Sequence, residues 1–150
     1  MKGAVAIMKE FGVAHEVRVI SAHRTPDAAY EFSRTAKERG LKLILAAAGK
    51  SAHLAGVLAA STIIPVVGVP MKTSDLGGLD SLLSMVQMPA GIPVGTVAIG
   101  DAGAKNAALF AVAILALADP SLSNQLEEYR MRMADEVRKS DARIQDEQSK

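Results

Sequence analysis

The chain has 150 residues, of which 49% are hydrophobic and 22% are charged, and its formal net charge is +1. This length and composition fit one compact domain with a sizeable core and exclude a disordered chain. The near balance of charges argues against a non-specific nucleic-acid binder, and the few aromatic residues leave little for stacking on bases. Because cysteine is absent, disulfides, thiolate catalysis and cysteine-ligated metal sites are excluded.

The apolar segments are too short to cross a bilayer. The longest run, residues 107–118, falls well below the roughly 20 residues that a spanning helix needs. Near the N-terminus, Lys2, Lys9 and Glu10 stand among apolar residues at helical spacing, which predicts a helix and not a signal peptide. We therefore expect a cytoplasmic protein that does not bind membranes.

Short apolar segments alternate with amphipathic ones along the rest of the chain. After the N-terminal helix, strands are predicted at residues 16–20, 42–47, 65–69 and 94–99, and helices at residues 27–39, 52–60, 78–86 and 102–118. This alternation predicts an α/β fold, a three-layer α/β/α sandwich around a parallel, flavodoxin-like or Rossmann-like sheet. The strand that normally opens such a sheet is expected to be missing from the numbered chain. Ligands bind beyond the carboxyl ends of the strands in these folds.

The end of the chain differs in composition from the rest. In residues 127–150, 13 of 24 residues are charged, against 20 in the preceding 126. Five apolar residues at spacings of 4, 3, 4 and 4 form one stripe of a helix: Leu122, Leu126, Tyr129, Met133 and Val137. We therefore predict an α/β domain over residues 1–120 and an amphipathic helix with a charged tail over residues 121–150. The stripe packs either on its own domain or on a neighbouring subunit.

Residues 21–27, Ser-Ala-His-Arg-Thr-Pro-Asp, lie between a predicted strand and a predicted helix. This position places His23 and Arg24 at the carboxyl edge of the sheet. Imidazole titrates near neutrality and can carry a proton, whereas guanidinium binds phosphate or carboxylate through paired hydrogen bonds. The pair is either a proton-transfer and anion-binding site or part of an ordinary polar loop.

A second loop of small residues, 46–56, follows the strand predicted at residues 42–47 and contains His53. Small residues let a ligand approach the backbone, and amides at a helix N-terminus attract anions. Close packing of a helix on a strand, with Ser51 as the helix cap, would explain the same composition. Two histidines on neighbouring strand-end loops favour a site. The sequence has no His, Asp and Glu cluster at ligand spacing, so we expect no metal.

These motifs resemble those of the 5-(carboxyamino)imidazole ribonucleotide mutase family, the class I PurE proteins. The similar runs, which extend to about residue 118, are SAHRTPD, AHLAG, VVGVP, GLDSLLSMVQMPAGIPVGTVAIG and AGAKNAALFA. The resemblance implies an isomerase of purine biosynthesis that moves a carboxylate from the exocyclic amine of a ribonucleotide to ring carbon 4, without cofactor or metal. A related carboxylase that uses carbon dioxide directly, or a non-catalytic ligand-binding domain, are the alternatives. The Ala-His-Leu run at residues 52–54 favours the mutase.

The resemblance also implies roles for individual residues. His23 would be the general acid and base, and Arg24 would bind the ribose phosphate. The other substrate-binding residues would be Ser21, Ala22, Ala48, Gly49, Lys50, Ser51, His53 and Leu54. It further implies a homo-octamer with shared active sites, in which residues 87–93 of one chain close the pocket of another.

The chain departs from the family pattern in two places. The family's first strand and its Gly-Ser-x-Ser-Asp phosphate loop have no counterpart before Met1, so we expect the numbered chain to be part of a longer protein. Residues 49–52 read Gly-Lys-Ser-Ala, where the family usually has Gly-Gly-Ala-Ala. Lys50 therefore either contacts the substrate carboxylate or points into solvent.

Overall fold

The computed structural model describes residues 1–148. Within this range the elements are α1 (Lys2–Glu10), α2 (Pro26–Thr35), β1 (Ile44–Ala48), α3 (Leu54–Ala60), β2 (Val66–Pro70), α4 (Leu79–Val86), β3 (Gly95–Thr96), α5 (Gly100–Ala116) and α6 (Pro120–Gln148). After two helices, strands and helices alternate as far as α5, which agrees with the predicted α/β class.

The three strands of the described residues are parallel and lie side by side in chain order. β1 pairs with β2 over all five residues, from Ile44 opposite Val66 to Ala48 opposite Pro70. β3 adds two further pairs on the other side of β2. All five residues of β2 are buried, as expected of a central parallel strand that is covered on both faces.

Helices cover both faces of this sheet. On one face, a Cβ placed on Gly68 of β2 would lie 3.0 Å from the sulfur of Met85 in α4 and 3.5 Å from Ala55 in α3. The glycine thus lets these helices approach the strand closely. On the other face, a Cβ on Gly95 would lie 3.9 Å from the ring of Phe110 in α5. The arrangement is the predicted three-layer sandwich.

The prediction of a strand at residues 16–20 is wrong. Val17 and Val19 are 65% and 101% exposed, and none of residues 16–20 forms a backbone hydrogen bond with another backbone group of residues 1–148. A strand is stabilised by pairing with a neighbour, which a short run of β-branched residues alone does not supply. Instead, an ion pair between Glu16 and Arg39 ties the extended segment to the connection between α2 and β1.

The strand predicted at residues 94–99 is shorter than expected, since β3 covers two residues. Val97 donates one more hydrogen bond, to the carbonyl of Gly68 at 3.2 Å, and α5 then begins at Gly100. A Cβ on Gly103 would lie only 1.6 Å from the carbonyl oxygen of Ala98, which shows that the chain turns sharply here. The start of α5 therefore folds back over residue 98 and ends the strand.

The chain divides into two compact units, Met1–Ala111 and Val112–Lys150, of which the structure describes residues up to 148. In the second unit, Oδ1 of Asp119 accepts hydrogen bonds from the backbone and the hydroxyl of Ser121 at 2.9 and 2.7 Å, which caps α6. Leu122 is buried, but residues 131–148 are all exposed, including Met133 and Val137 of the predicted stripe. The partner surface predicted for that stripe stays a prediction, and residues 149 and 150 of the predicted tail lie outside the described residues.

Each unit contains one tyrosine, and each ring lies beneath an arginine of its own helix. Cζ of Arg34 is 5.6 Å from the ring centre of Tyr30 in α2, and Cζ of Arg132 is 5.5 Å from that of Tyr129 in α6. Such contacts attract a cation to the ring face.

None of the helices within residues 1–148 has both the length and the apolar character needed to span a membrane.

Candidate active site

Residues 21–25 form a tight turn that presents His23 and Arg24. The backbone N–H of Ser21 donates to Oγ1 of Thr25, and the backbone N–H of Thr25 donates to the carbonyl of Ser21, both at 2.9 Å. Oγ of Ser21 also accepts the N–H of Arg24 at 3.2 Å. Pro26 then begins α2, since its fixed φ suits the first helical position. The two candidate residues are thus positioned by a turn before a helix and not by the end of a strand.

The second loop, residues 49–53, connects β1 to α3. His53 is the N-cap residue of α3, and its backbone N–H donates to the carbonyl of Ser51 at 2.8 Å. Ser51 itself does not cap the helix, so the capping role predicted for it is wrong, whereas Ala52 and Ala55 are buried as close packing of the helix requires. Gly49, Ser51 and His53 are exposed, whereas Leu54 is half-buried at the first position of α3. The loop therefore offers an imidazole and a glycine backbone to the same solvent-facing region.

The two loops meet through their histidines. Nε2 of His23 lies 3.0 Å from Nδ1 of His53, and the rings pack edge to face with centres 5.0 Å apart. One ring donates an N–H and the other accepts it. Within residues 1–148 the second nitrogen of each ring, Nδ1 of His23 and Nε2 of His53, has no hydrogen-bond partner. The pair can therefore exchange a proton with a ligand while remaining hydrogen-bonded.

Arg24 adds a positive charge beside this pair. Its side chain is exposed and has no carboxylate partner in the part of the chain that the structure describes. An unpaired guanidinium retains its full capacity for two parallel hydrogen bonds to a phosphate or a carboxylate. The neighbouring Ser21 and Ala22 are half-buried and form the base of the turn. The 21–25 turn can thus hold an anionic group.

Lys50 forms an ion pair with the loop between β2 and α4. Its Nζ donates to Oδ2 of Asp75 at 2.8 Å, and both side chains are largely exposed. The hydrogen bond to Asp75 and its charge raise the pKa of Lys50, and the same contact lowers the pKa of Asp75. Lys50 also has a φ of 58°, a conformation that favours glycine. Sequence reasoning missed Asp75, although it follows β2 at the same edge of the sheet.

Thr73 and Gly78 fix the connection from β2 into α4. Oγ1 of Thr73 donates to Oδ1 of Asp80 at 2.9 Å and accepts the N–H of Gly78 at 3.2 Å. Gly78 has a φ of 102°, and a Cβ there would lie 3.0 Å from the carbonyl oxygen of Met71. This φ would strain any residue with a side chain, and the added Cβ would crowd the carbonyl oxygen of Met71. Glycine avoids both costs and lets the loop pass directly into the helix.

Known proteins have sequences similar to this one. The sequence profile of the AIR carboxylase family matches residues 1–136. The chain belongs to the AIR carboxylase family. The N5-carboxyaminoimidazole ribonucleotide mutase of Aquifex aeolicus is 58% identical over 127 residues, which are 85% of this chain and 75% of that protein. The mutase of Escherichia coli is 52% identical over 137 residues, 91% of this chain and 81% of that protein.

A solved structure has the same fold. The crystal structure of Treponema denticola PurE superimposes with a TM-score of 0.83 at 24% identity and covers 95% of this chain and 87% of that one. At this identity the likeness concerns the fold alone, and it confirms the predicted α/β class. The predicted membership of the mutase family is confirmed by the profile and by the relatives.

Proposed function

We propose that this chain is an N5-carboxyaminoimidazole ribonucleotide mutase, an isomerase of purine biosynthesis. It moves the carboxylate of its substrate from the exocyclic amine to ring carbon 4 and produces 4-carboxy-5-aminoimidazole ribonucleotide. The observation that carries the proposal is the hydrogen-bonded pair of His23 and His53, in a chain whose relatives bear this name.

The reaction is a decarboxylation followed by a carboxylation, and one imidazole serves both steps. The bond between the amine nitrogen and the carboxylate carbon breaks, carbon dioxide leaves, and the nitrogen takes a proton from the imidazolium of His23. Ring carbon 4 then donates an electron pair to the trapped carbon dioxide, and the now neutral His23 removes the proton from that carbon. His23 ends in its starting protonation state, so the proton balance closes without a cofactor or a metal.

His53 holds the ring of His23 in place for both proton transfers. The contact uses Nε2 of His23, so Nδ1 is the nitrogen that faces the substrate. A general acid and base in a fixed position contributes about 10²-fold to 10⁴-fold in rate. His53 therefore acts on the reaction through the orientation of His23 and borders the substrate with its own Nε2.

Substrate binding is divided between the two loops. Arg24 binds the ribose phosphate with its unpaired guanidinium. The small residues of both loops allow the imidazole ring and the carboxylate to approach the backbone, and the lining residues are Ser21, Ala22, Ala48, Gly49, Ser51 and Leu54. For Lys50, the ion pair with Asp75 supports the alternative in which the lysine points away from the substrate.

The active protein is a homo-octamer with shared active sites. One side of α4, together with Leu76 three residues before the helix begins, exposes four apolar side chains, 47% to 63% exposed: Leu76, Leu79, Leu83 and Val86. Residues three and four apart share a helix face, and a contiguous apolar face of this kind is typical of an interaction surface. The adjoining loop, residues 87–93, is exposed for most of its length. Both features support closure of one chain's pocket by residues 87–93 of another.

The reaction takes place in the cytoplasm, where phosphorylated purine precursors are made and consumed. The substrate is a small ribonucleotide, and neither a nucleic acid nor a membrane takes part. These statements follow from the proposed activity.

An isotope experiment tests the function. The purified chain receives N5-carboxyaminoimidazole ribonucleotide with ¹³C in the transferable carboxylate, in a buffer with unlabelled bicarbonate. The proposal expects ¹³C in the carboxylate on ring carbon 4. Product formed only from aminoimidazole ribonucleotide and unlabelled bicarbonate would identify a carboxylase instead, and absence of any product beyond the spontaneous rate would leave a non-catalytic binding domain.

A further inference from the structure

Ser81 carries a buried hydroxyl that has no hydrogen-bond partner. It lies in the first turn of α4 with 0% of its surface exposed, and its Oγ pairs with no donor or acceptor of residues 1–148. Its complete burial also keeps bulk solvent away from the hydroxyl. An unpaired buried hydroxyl destabilises a fold, so each such group in a native protein calls for an explanation.

The backbone before α4 explains why the usual local partner is missing. Buried and half-buried serines in helices commonly donate to the carbonyl four residues earlier, as Ser33 and Ser84 do at 2.9 and 2.7 Å. For Ser81 that residue is Gly77, which precedes the helix and has a φ of 64°. Its carbonyl is therefore outside the helical pattern, and the hydroxyl of Ser81 is left for a partner beyond its own helix.

The neighbour on that side is the glycine of the candidate active site. A Cβ placed on Gly49 would lie 4.0 Å from Oγ of Ser81. Three residues further along the same helix face, Oγ of Ser84 lies 3.5 Å from the carbonyl oxygen of Lys50. The serine side of α4 thus lies against the 49–53 loop, and the space beside Gly49 is bordered by Oγ of Ser81, Cγ2 of Thr73 and Cβ of Met71.

We propose that Ser81 is a positioning residue for the substrate, an inference that rests on the proposed function. When the substrate carboxylate binds to the 49–53 loop, the Gly49 segment closes on α4 and accepts a hydrogen bond from the Ser81 hydroxyl. The hydroxyl is unsatisfied in the free chain and satisfied in the complex, so the bond contributes to substrate affinity. A side chain at position 49 would enter the space beside Ser81, where its Cβ would lie 3.4 Å from Cγ2 of Thr73.

The substitution Ser81→Ala tests this role by steady-state kinetics and by thermal melting. If Ser81 were only structural, the substitution would lower activity and stability together. We expect KM to rise about tenfold, equivalent to about 1.4 kcal/mol of binding, with kcat unchanged. The melting temperature should stay equal or rise, because alanine removes an unsatisfied buried group. A wild-type KM would overturn the proposal, and so would a loss of kcat that parallels a loss of stability.

Ser33→Ala is the matched control, because Ser33 is an equally buried helix serine whose hydroxyl is already bonded. It should lower the melting temperature and leave KM unchanged. Should Ser81→Ala fail to fold, Ser81→Cys preserves the size with a weaker donor and should give an intermediate KM; a wild-type KM would again contradict the role.

Turnover of the ribonucleotide by the wild-type chain separates the positioning role of Ser81 from the proposed mutase function. If the wild-type chain is inactive, both fall, whereas an active wild type with an unaltered Ser81→Ala variant removes the positioning role alone.

Discussion

Nε2 of His23 lies 3.0 Å from Nδ1 of His53, and this contact joins the loop before α2 to the loop before α3. His53 is the N-cap of α3, and His23 lies in the turn three residues before the first residue of α2, so the contact ties the starts of the two helices together. A substitution at either position removes the hydrogen-bond partner of the other. The two side chains therefore form one functional unit, and their effects on turnover should not be additive.

Replacing His23 with asparagine should abolish the interconversion of the two carboxylated ribonucleotides without unfolding the chain. Asparagine keeps a polar group near His53 but cannot carry a proton near neutral pH. His23 is exposed, so its loss leaves the core intact. Turnover is followed by transfer of the ¹³C label and folding by circular dichroism. Turnover close to that of the wild type would remove His23 from the proton-transfer role.

Replacing His53 with asparagine should lower kcat by roughly tenfold to a hundredfold, because the ring of His23 is then no longer oriented. The double variant with His23→Asn should be no slower than His23→Asn alone, since residues that act as a unit are not additive. The double-variant cycle on kcat makes this measurement. Independent, multiplying losses would contradict a shared role.

Replacing Lys50 with glycine should change KM little. Nζ of Lys50 is held by Asp75, and glycine adopts the φ of 58° at this position without strain. The melting temperature should accordingly stay the same or rise. Steady-state kinetics decide the matter, because a loss of tenfold or more in kcat/KM would show that the lysine contacts the substrate.

The Lys50–Asp75 ion pair should stabilise the fold only in the pH range between the pKa of Asp75 and the pKa of Lys50. The pKa of Asp75 lies below its usual 3.8, so its contribution is present above that pH and is lost as the pH falls through the lowered pKa. The pKa of Lys50 lies above its usual 10.5, so its contribution is present below that pH and is lost as the pH rises through the raised pKa. The difference in melting temperature between wild type and Asp75→Asn should be small at neutral pH, vanish at both extremes and shrink in salt. A difference independent of pH would contradict the pairing.

Assembly should depend on the apolar face of α4. Light scattering coupled to size exclusion should give eight times the 15.7 kDa of one chain. Leu83→Lys should reduce the mass, because it places a charge in the proposed interface, whereas Val19→Lys makes the same kind of change on the exposed 16–20 segment and should not. A stable monomer that retains full activity would refute the shared active site.

The sequence predicted most of the fold because burial on both faces of a parallel sheet leaves long apolar runs, as at residues 65–69. It placed the two histidine loops beside each other, and they do meet, but the strand from which it placed His23 does not form. It was wrong at residues 16–20, where the β-branched residues, such as Val17 and Val19, gave no information about a pairing partner. The contacts of Lys50 with Asp75 and of Ser81 with the space at Gly49 were not predicted, because they depend on how separate loops pack.

The two arginine-covered tyrosines have a consequence for spectroscopy. The chain contains no tryptophan, so Tyr30 and Tyr129 are its sources of intrinsic ultraviolet fluorescence, one in each compact unit. The tyrosine emission of a Tyr30→Phe chain comes only from α6, and that of a Tyr129→Phe chain comes only from α2. Since each ring lies beneath an arginine three or four residues away, unwinding of its helix separates the two groups and alters the emission. The protein thus carries its own pair of optical reporters, and the melting of each unit can be followed without an attached dye.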